Sequence, residues 1–459
     1  MFSDFYHNNK SLKIIICFAI LLRLIFFLTV NPWNDHILKD KIIVNDALQY
    51  HNLALEILED LSFSSTIRTP GYPSFIAMIY LIFGVRPWVV LFIQLLLNIF
   101  SLIMVYLLSK MFFNNKISII ATFLYAIDPH VIFYSTTLLT DTLFVFLFLS
   151  SILSLIQGLS NQKALFLFLT GFFLGLATLV RPISQYFIFI VLLIVLFYPD
   201  IKWSFRLKAI PCFLFIFILT ISPWMFRNYS QYGRLSLTSM QGSTLLFWYA
   251  TYVEVSKTSK TKEQVRTEFK NIAEEKGINN IDNQFAKSDI YNKIAIDYLS
   301  ENINTYVIYH IKGNLKMFAN LNTKNICDFL RLKNTKLDYE YSATSFSNLI
   351  ANFLKVKTMH EIAVGILIIF FLLITYSSFI IGAISMISKK ESLFLFLTLL
   401  IIFYFLSLTG IMGDARYKLP IEPFILIISA NGISNILNTS SMRKVISFNG
   451  DITRIQCDK

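Results

Sequence analysis

Long unbroken apolar runs, rather than an alternation of apolar and polar positions, organise this chain. An apolar run of about 20 residues, rising ~1.5 Å per residue as a helix, crosses the ~30 Å hydrocarbon core of a bilayer. The pattern predicts about ten such spans, over 12–30, 88–110, 117–133, 138–158, 164–180, 183–199, 207–226, 361–387, 393–410 and 418–437. The first run is too long for a signal peptide, contains Arg23, and is followed by no small-residue cleavage pattern, so it reads as a span. Two longer segments interrupt the runs. The first, 31–87, holds an amphipathic stretch from Ala47 to Leu61, the turn Arg68-Thr-Pro-Gly-Tyr-Pro73, and an apolar run over 74–83 that is too short to span and is expected to lie in the interface or re-enter. The second, 227–360, is helical in pattern, for example Glu263 to Glu275 and Ile290 to Phe318, and is expected to lay interfacial helices over one face of the membrane rather than fold separately. The chain thus divides into a transmembrane module (1–226) that includes the 31–87 loop, the amphipathic segment (227–360), C-terminal transmembrane helices (361–437) and a tail (438–459).

Composition narrows the class. Of 459 residues, 55% are apolar and only 15% charged, against about 25% charged in a soluble domain. That excludes a soluble globule, whose surface must be largely polar, and a disordered chain, which is charge-rich and apolar-poor. A membrane β-barrel shows alternation instead of long runs. The fold class expected is an all-α polytopic membrane protein. The net charge of +12 is spread along the chain with no dense basic cluster, which speaks for membrane topology and against a nucleic-acid partner. With the N-terminus inside, short inner segments carry 14 Lys and Arg and short outer segments 7, so the N- and C-termini are both expected inside. Trp33, Trp88 and Trp224 then fall at the outer interface. Four cysteines (Cys17, Cys212, Cys327, Cys457) make neither a CxxC pair nor a disulfide framework, and six dispersed histidines offer no metal-ligand spacing. No P-loop or dinucleotide glycine pattern is present, and no cofactor is expected.

The sparse charges near span ends gather on the outer face: Asp46, Arg68, Asp128, Asp141, Arg181, Arg227, Asp414 and Arg416. Ionisable groups beside hydrocarbon are costly, so such a gathering points to function, although any one of them alone reads equally well as solvated loop. Asp46, Tyr50 and Ala54 share a helical face at i, i+4, i+8, and Asp46 alone reads as a helix cap. Arg68 sits in a turn stiffened by Pro and Gly, and its planar fork suits phosphate. Asp141 opens a span, where it would also complement the helix dipole, and Asp128-Pro129 reads as a helix-ending turn. Arg416-Tyr417 lies in a late outer turn, and Arg227 follows Pro223-Trp-Met-Phe, where snorkelling would also account for it. Arg23 lies mid-span, at a cost of about 2.5–3.5 kcal/mol if unpaired, and needs a partner or a cavity.

Taken in order, Asp46-x3-Tyr50-x3-Ala54, the Arg68-Thr-Pro-Gly-Tyr-Pro73 turn, Thr140-Asp141-Thr-Leu-Phe144, Pro223-Trp-Met-Phe-Arg-Asn-Tyr229 and Arg416-Tyr-Lys-Leu-Pro-Ile-Glu-Pro423 resemble the polyprenyl-phosphate-sugar-dependent glycosyltransferases of the GT-C fold, in particular glycosyltransferase family 39 and the aminoarabinose-transferase-like bacterial proteins. The resemblance runs from about residue 10 to 437. It implies a GT-C-like bundle of about ten transmembrane helices and an inverting transfer of a sugar from a polyprenyl monophosphate to an acceptor hydroxyl, on a lipid, a glycan or a protein, at the outer face. The general base falls on Asp46, in the first outer loop, and a second acidic catalytic residue on Asp141. The donor phosphate falls to Arg68, with Arg227 and Arg416, and the substrate is lined by Tyr50, Tyr72 and Tyr417. Protein mannosyltransferases carry an Asp-Glu pair where this chain has Asp46-Ala47, which aligns it with the bacterial branch. With several arginines at hand, no divalent metal is required. Richness in Ile, Lys and Asn points to an AT-rich genome, hence to a bacterial inner membrane and undecaprenyl phosphate as the donor lipid. Two other readings stay open: a transporter or flippase of a lipid-linked sugar, and a GT-C-like polymerase or ligase using a lipid diphosphate.

Overall fold

In the computed structural model, which describes residues 10–333, 357–389 and 392–438, helices account for nearly all regular structure and the described residues contain no strand. Six helices are long and apolar enough to cross a membrane: Lys10–Val30, Pro87–Phe112, Asp141–Asn161, Trp203–Tyr232, Met359–Ser388 and Leu393–Met412. Shorter apolar helices cover Gly71–Phe83, Asn115–Ile127, Ala164–Val180 and Pro182–Phe197, and a further helix occupies 422–438. The Lys10–Val30 helix shows how burial divides. Leu12, Ile15, Ala19, Arg23 and Phe27 face the bundle at helical spacing, while Ile14, Phe18, Leu21, Ile25 and Leu28 are exposed and apolar. An apolar outer face of this kind is what lipid, not water, accommodates. The Asp141–Asn161 helix is enclosed on nearly all sides and forms the centre of the bundle.

Two predicted spans are not single helices. The run 117–133 breaks into Asn115–Ile127 and Pro129–Tyr134. Pro129 cannot continue the helical ladder, and the Asp128 carboxylate restarts it by accepting from the amides of His130 (2.8 Å) and Val131 (3.1 Å). The run 183–199 opens as a tight 3-10 turn over Pro182–Tyr186 before the helix Phe187–Phe197. The break at Asp128 also explains Arg23. A helix end leaves backbone carbonyls unpaired, and Arg23 reaches them, donating to Ala126 O (2.9 Å) and Tyr125 O (3.4 Å) while its Nε bonds Asn98 Oδ1 (2.7 Å).

The short apolar run within 31–87 is the helix Gly71–Phe83, which packs against Asp46–Asp60 and against Ala164–Val180. Gly71 makes this approach possible: a Cβ there would lie 2.6 Å from the backbone of Leu179. Beyond Trp203–Tyr232, the long segment forms helices over Thr251–Lys257, Lys262–Glu275, Gln284–Glu301 and Ile303–Ala319. They bury a small cluster that includes Leu246, Val253, Val265, Phe269 and Ile294, and Ile411 from the C-terminal part belongs to it too. Part of the predicted 227–360 segment and nearly all of the 438–459 tail lie outside the described residues.

Replacing Arg23 by Met keeps the apolar stem and removes every bond to the Ala126 and Tyr125 carbonyls. We expect a loss of about 1–3 kcal/mol in unfolding free energy, the range for stranding buried acceptors. Titration of the purified protein with denaturing detergent measures it, and an unchanged midpoint would contradict the capping role.

Candidate active site

Asp46 is the first residue of its helix, and the preceding Asn45 has φ 51° and ψ −120°, a backbone region unfavourable for a residue with a Cβ. This entry aims the Asp46 carboxylate away from its own helix. Instead of capping, Oδ1 accepts from Arg68 Nη2 at 2.6 Å and Oδ2 faces Arg416 Nη1 at 3.4 Å. Arg68 is aimed by its neighbours. Its amide bonds Ser65 Oγ (2.9 Å), its Nε bonds Gln49 Oε1 (2.9 Å), its Nη1 bonds the Tyr50 hydroxyl (3.1 Å), and the guanidinium lies 5.0 Å from the Tyr50 ring centre. Burial pushes the Asp46 carboxyl up, but the Arg68 and Arg416 guanidiniums outweigh it and hold it below the usual carboxylate range.

Asp141 opens the central helix and is buried. Its Oδ1 accepts from Arg181 Nη2 at 2.5 Å, and its Oδ2 faces Arg416 Nη2 at 3.5 Å. Arg181 also donates to Thr140 Oγ1 (2.7 Å). Arg416 thus bridges the two carboxylates, and within this chain of contacts three guanidiniums face two carboxylates. The Arg416 Nε has no hydrogen-bond partner among the described residues. The loop that carries Arg416 turns at Gly413, whose φ of +64° suits glycine. Asp414 then fixes it, accepting from the Arg416 amide (3.0 Å) and from the Tyr134 hydroxyl (3.3 Å).

The structure therefore brings together Asp46, Arg68, Asp141, Arg416 and Tyr50, and places Tyr417 beside Arg416, with the guanidinium 5.8 Å from the ring centre. Two expected residues fall elsewhere. Tyr72 is completely buried behind Tyr50, edge-on at 5.0 Å, with its hydroxyl bonded to Gln94 (2.6 Å). It supports the site wall rather than lining it, because Gly71 packs the turn tightly against the Leu179 backbone. Arg227 joins neither carboxylate. It donates to Phe63 O and Asn228 Oδ1 and stacks on Trp224 and Tyr232. Trp224 itself is buried, bonding Leu237 O through Nε1 (2.8 Å), and so packs within the protein. Arg181 and Tyr134 were not assigned a role from sequence. Arg181 carried a signal as a charge one residue past a span, whereas Tyr134 carried none. The described residues hold no group of three His, Cys, Asp or Glu side chains placed for a metal ion.

Comparison with known proteins bears on the whole arrangement. The family model for dolichyl-phosphate-mannose-protein mannosyltransferases matches residues 68–226, a stretch that contains Arg68, Asp141 and Arg181. A protein of Bacillus subtilis named putative mannosyltransferase YkcB is 27% identical over 177 residues, 38% of this chain and 25% of that protein. The oligosaccharyltransferase of Archaeoglobus fulgidus, tethered to an acceptor peptide, superposes with a TM-score of 0.54 over 96% of this chain and 51% of its own, at 13% identity. The fold is of the GT-C type. The same archaeal enzyme, AglB, in complex with an inhibitory peptide and a dolichol-phosphate superposes with a TM-score of 0.51 at 13% identity, over 95% of this chain and 52% of its own. This GT-C-type chain spans about a quarter of the length of YkcB and about half that of the archaeal enzyme.

Because the folded value for Asp46 lies below its ordinary 3.8, its ion pairs contribute stability above about pH 4 and lose it as the pH falls through the folded value. The difference in thermal midpoint between the wild type and Asp46→Asn should therefore be full at about pH 7 and shrink towards about pH 3. An equal difference at both would contradict the pairing.

Proposed function

We propose that this chain is an inverting membrane glycosyltransferase, moving a sugar from a polyprenyl monophosphate to an acceptor hydroxyl at the outer face of a bacterial inner membrane. The observation that carries the reading is the Asp46 carboxylate held between Arg68 and Arg416. Their chemistry divides the work. The acceptor oxygen attacks the anomeric carbon, the bond from that carbon to the phosphate oxygen breaks, and the configuration inverts. The acceptor proton passes to Asp46, and the electron pair leaves with the lipid phosphate. Arg68 and Arg416 stabilise the charge that grows on that phosphate.

In the resting site both guanidiniums are engaged by Asp46. A bound phosphate competes for them, which loosens the carboxylate and raises its proton affinity where the base is needed. Asp141, anchored by Arg181, is left to accept from sugar or acceptor hydroxyls. The helix that follows Arg68 presents exposed Met78, Leu81, Ile82 and Phe83, an apolar track suited to the polyprenyl tail. The names of the relatives agree in kind: one is called a mannosyltransferase, and another is seen in complex with a dolichol-phosphate.

Purified protein in liposomes, supplied with undecaprenyl-phosphate-linked hexose and a membrane glycolipid fraction as acceptor, tests this. Asp46→Asn should lower kcat by about 10²–10⁴. Turnover close to wild type would remove Asp46 as the base, and donor lipid crossing the bilayer without product would favour a flippase. Arg68→Ala should raise the KM for donor by about 10–100-fold, the value of a charge-assisted contact, with Arg68→Lys recovering part of it. An unchanged donor KM would remove Arg68 from the phosphate.

A further inference from the structure

The end of the bundle opposite the Asp46–Arg416 cluster holds a second polar site. The Pro87–Phe112 helix starts beside Arg86 and runs 26 residues, about 39 Å at ~1.5 Å per residue, with Lys110 in its last turn. The 422–438 helix starts just past Arg416 and ends at the same place. There a cavity of about 480 Å³ opens between helix ends, lined among others by Lys110, Lys389, Asn431, Ser434, Asn435 and Asn438. The last four share one face of the 422–438 helix at three- and four-residue spacing. Among the described residues no Asp or Glu lines the cavity. Lys389 Nζ is held over it by Asn435 Oδ1 (3.2 Å), and Lys116 bonds Asn438 Oδ1 at its rim (2.8 Å). Apolar Met111, Phe112 and Phe113 complete the wall.

Lysines at span ends usually anchor topology by reaching water separately. Here they converge with amides on one open cavity that has an apolar flank. We propose that this cavity binds the phosphate group of an anionic lipid in the leaflet opposite the active site, with Lys110 and Lys389 as the charge partners, the asparagine amides as donors, and the phenylalanines against the acyl chains. Basic pockets between transmembrane helices hold lipid phosphates by this combination. The same oxyanion chemistry would accept free phosphate, and the two sources separate by experiment.

The full-length protein, delipidated in detergent, is titrated with phosphatidylglycerol or phosphatidylcholine and followed by native mass spectrometry. Phosphatidylglycerol should bind the wild type roughly tenfold or more tighter than the Lys110→Gln/Lys389→Gln variant. Phosphatidylcholine should bind both alike. The Lys270→Gln/Lys276→Gln variant, on and just after the Lys262–Glu275 helix, should behave as wild type. Displacement of phosphatidylglycerol by inorganic phosphate at matched concentration would assign the site to free phosphate, and no displacement assigns it to the lipid. Equal phosphatidylglycerol affinity in the wild type and the Lys110/Lys389 variant, with both showing the same thermal midpoint, would overturn the proposal. If that variant unfolds, Lys110→Glu alone takes its place under the same criterion.

Discussion

Arg416 sits between two carboxylates that no local segment brings together, 3.4 Å from Asp46 and 3.5 Å from Asp141. Much of the architecture answers to that bridge. Charges taken partly out of water beside hydrocarbon are tolerated only when each finds a partner. Asp46 therefore needs the Arg68 turn docked against its helix, and Asp141 needs Arg181 at the end of the neighbouring span. The loop carrying Arg416 must also come back from the far end of the chain. Removing Asp46 leaves Arg68 without its ion-pair partner, and removing Asp141 does the same to Arg181, so electrostatics as well as packing hold these loops in register.

The rest of the molecule supports those positions. Gly71 lets the Arg68 turn lie against the backbone of Leu179, two residues before Arg181, so two of the guanidiniums are carried on segments in direct contact. The long segment after Trp203–Tyr232 buttresses the Arg416 loop. Tyr249 donates to Leu408 O (2.8 Å), the His310 ring bonds Leu406 O (2.8 Å), and Gly313 packs on the carbonyl of Gly410. The mid-span Arg23 is structural in the same sense: its guanidinium satisfies the carbonyls released where the helix breaks at Asp128-Pro129. That break sets the position of Tyr134, and Tyr134 in turn bonds Asp414 beside Arg416.

The two ends of the bundle differ in how they use charge. At one end acids and guanidiniums are interlocked, so that a phosphate must compete with carboxylates for its partners. At the other, lysines and amides converge, with no carboxylate in the lining among the described residues. The first arrangement suits a ligand that arrives, reacts and leaves. The second suits one that stays.

The membrane class, the helical content and most span positions were legible from the sequence. A run of about 20 apolar residues is a local property, and in lipid it has essentially one backbone solution, since every amide must be bonded within its own helix. Asp46, Arg68, Asp141 and Arg416 were legible as charges placed where charges are expensive. Other features depended on distance in space. Local spacing did not distinguish Asp46 as a cap from Asp46 as an ion-pair acceptor; the contacts from residues 68 and 416 decided that. Arg181 and Tyr134 entered the site, Tyr72 withdrew behind Tyr50, and Arg227 was drawn to Phe63, all through contacts between segments far apart in the chain. Sequence thus determined which residues were too costly to leave unpaired beside lipid, because that cost depends on residue type and depth. Only the tertiary structure decided which partner each one found, because a guanidinium bonds whatever acceptor the packing of the helices brings within about 3 Å.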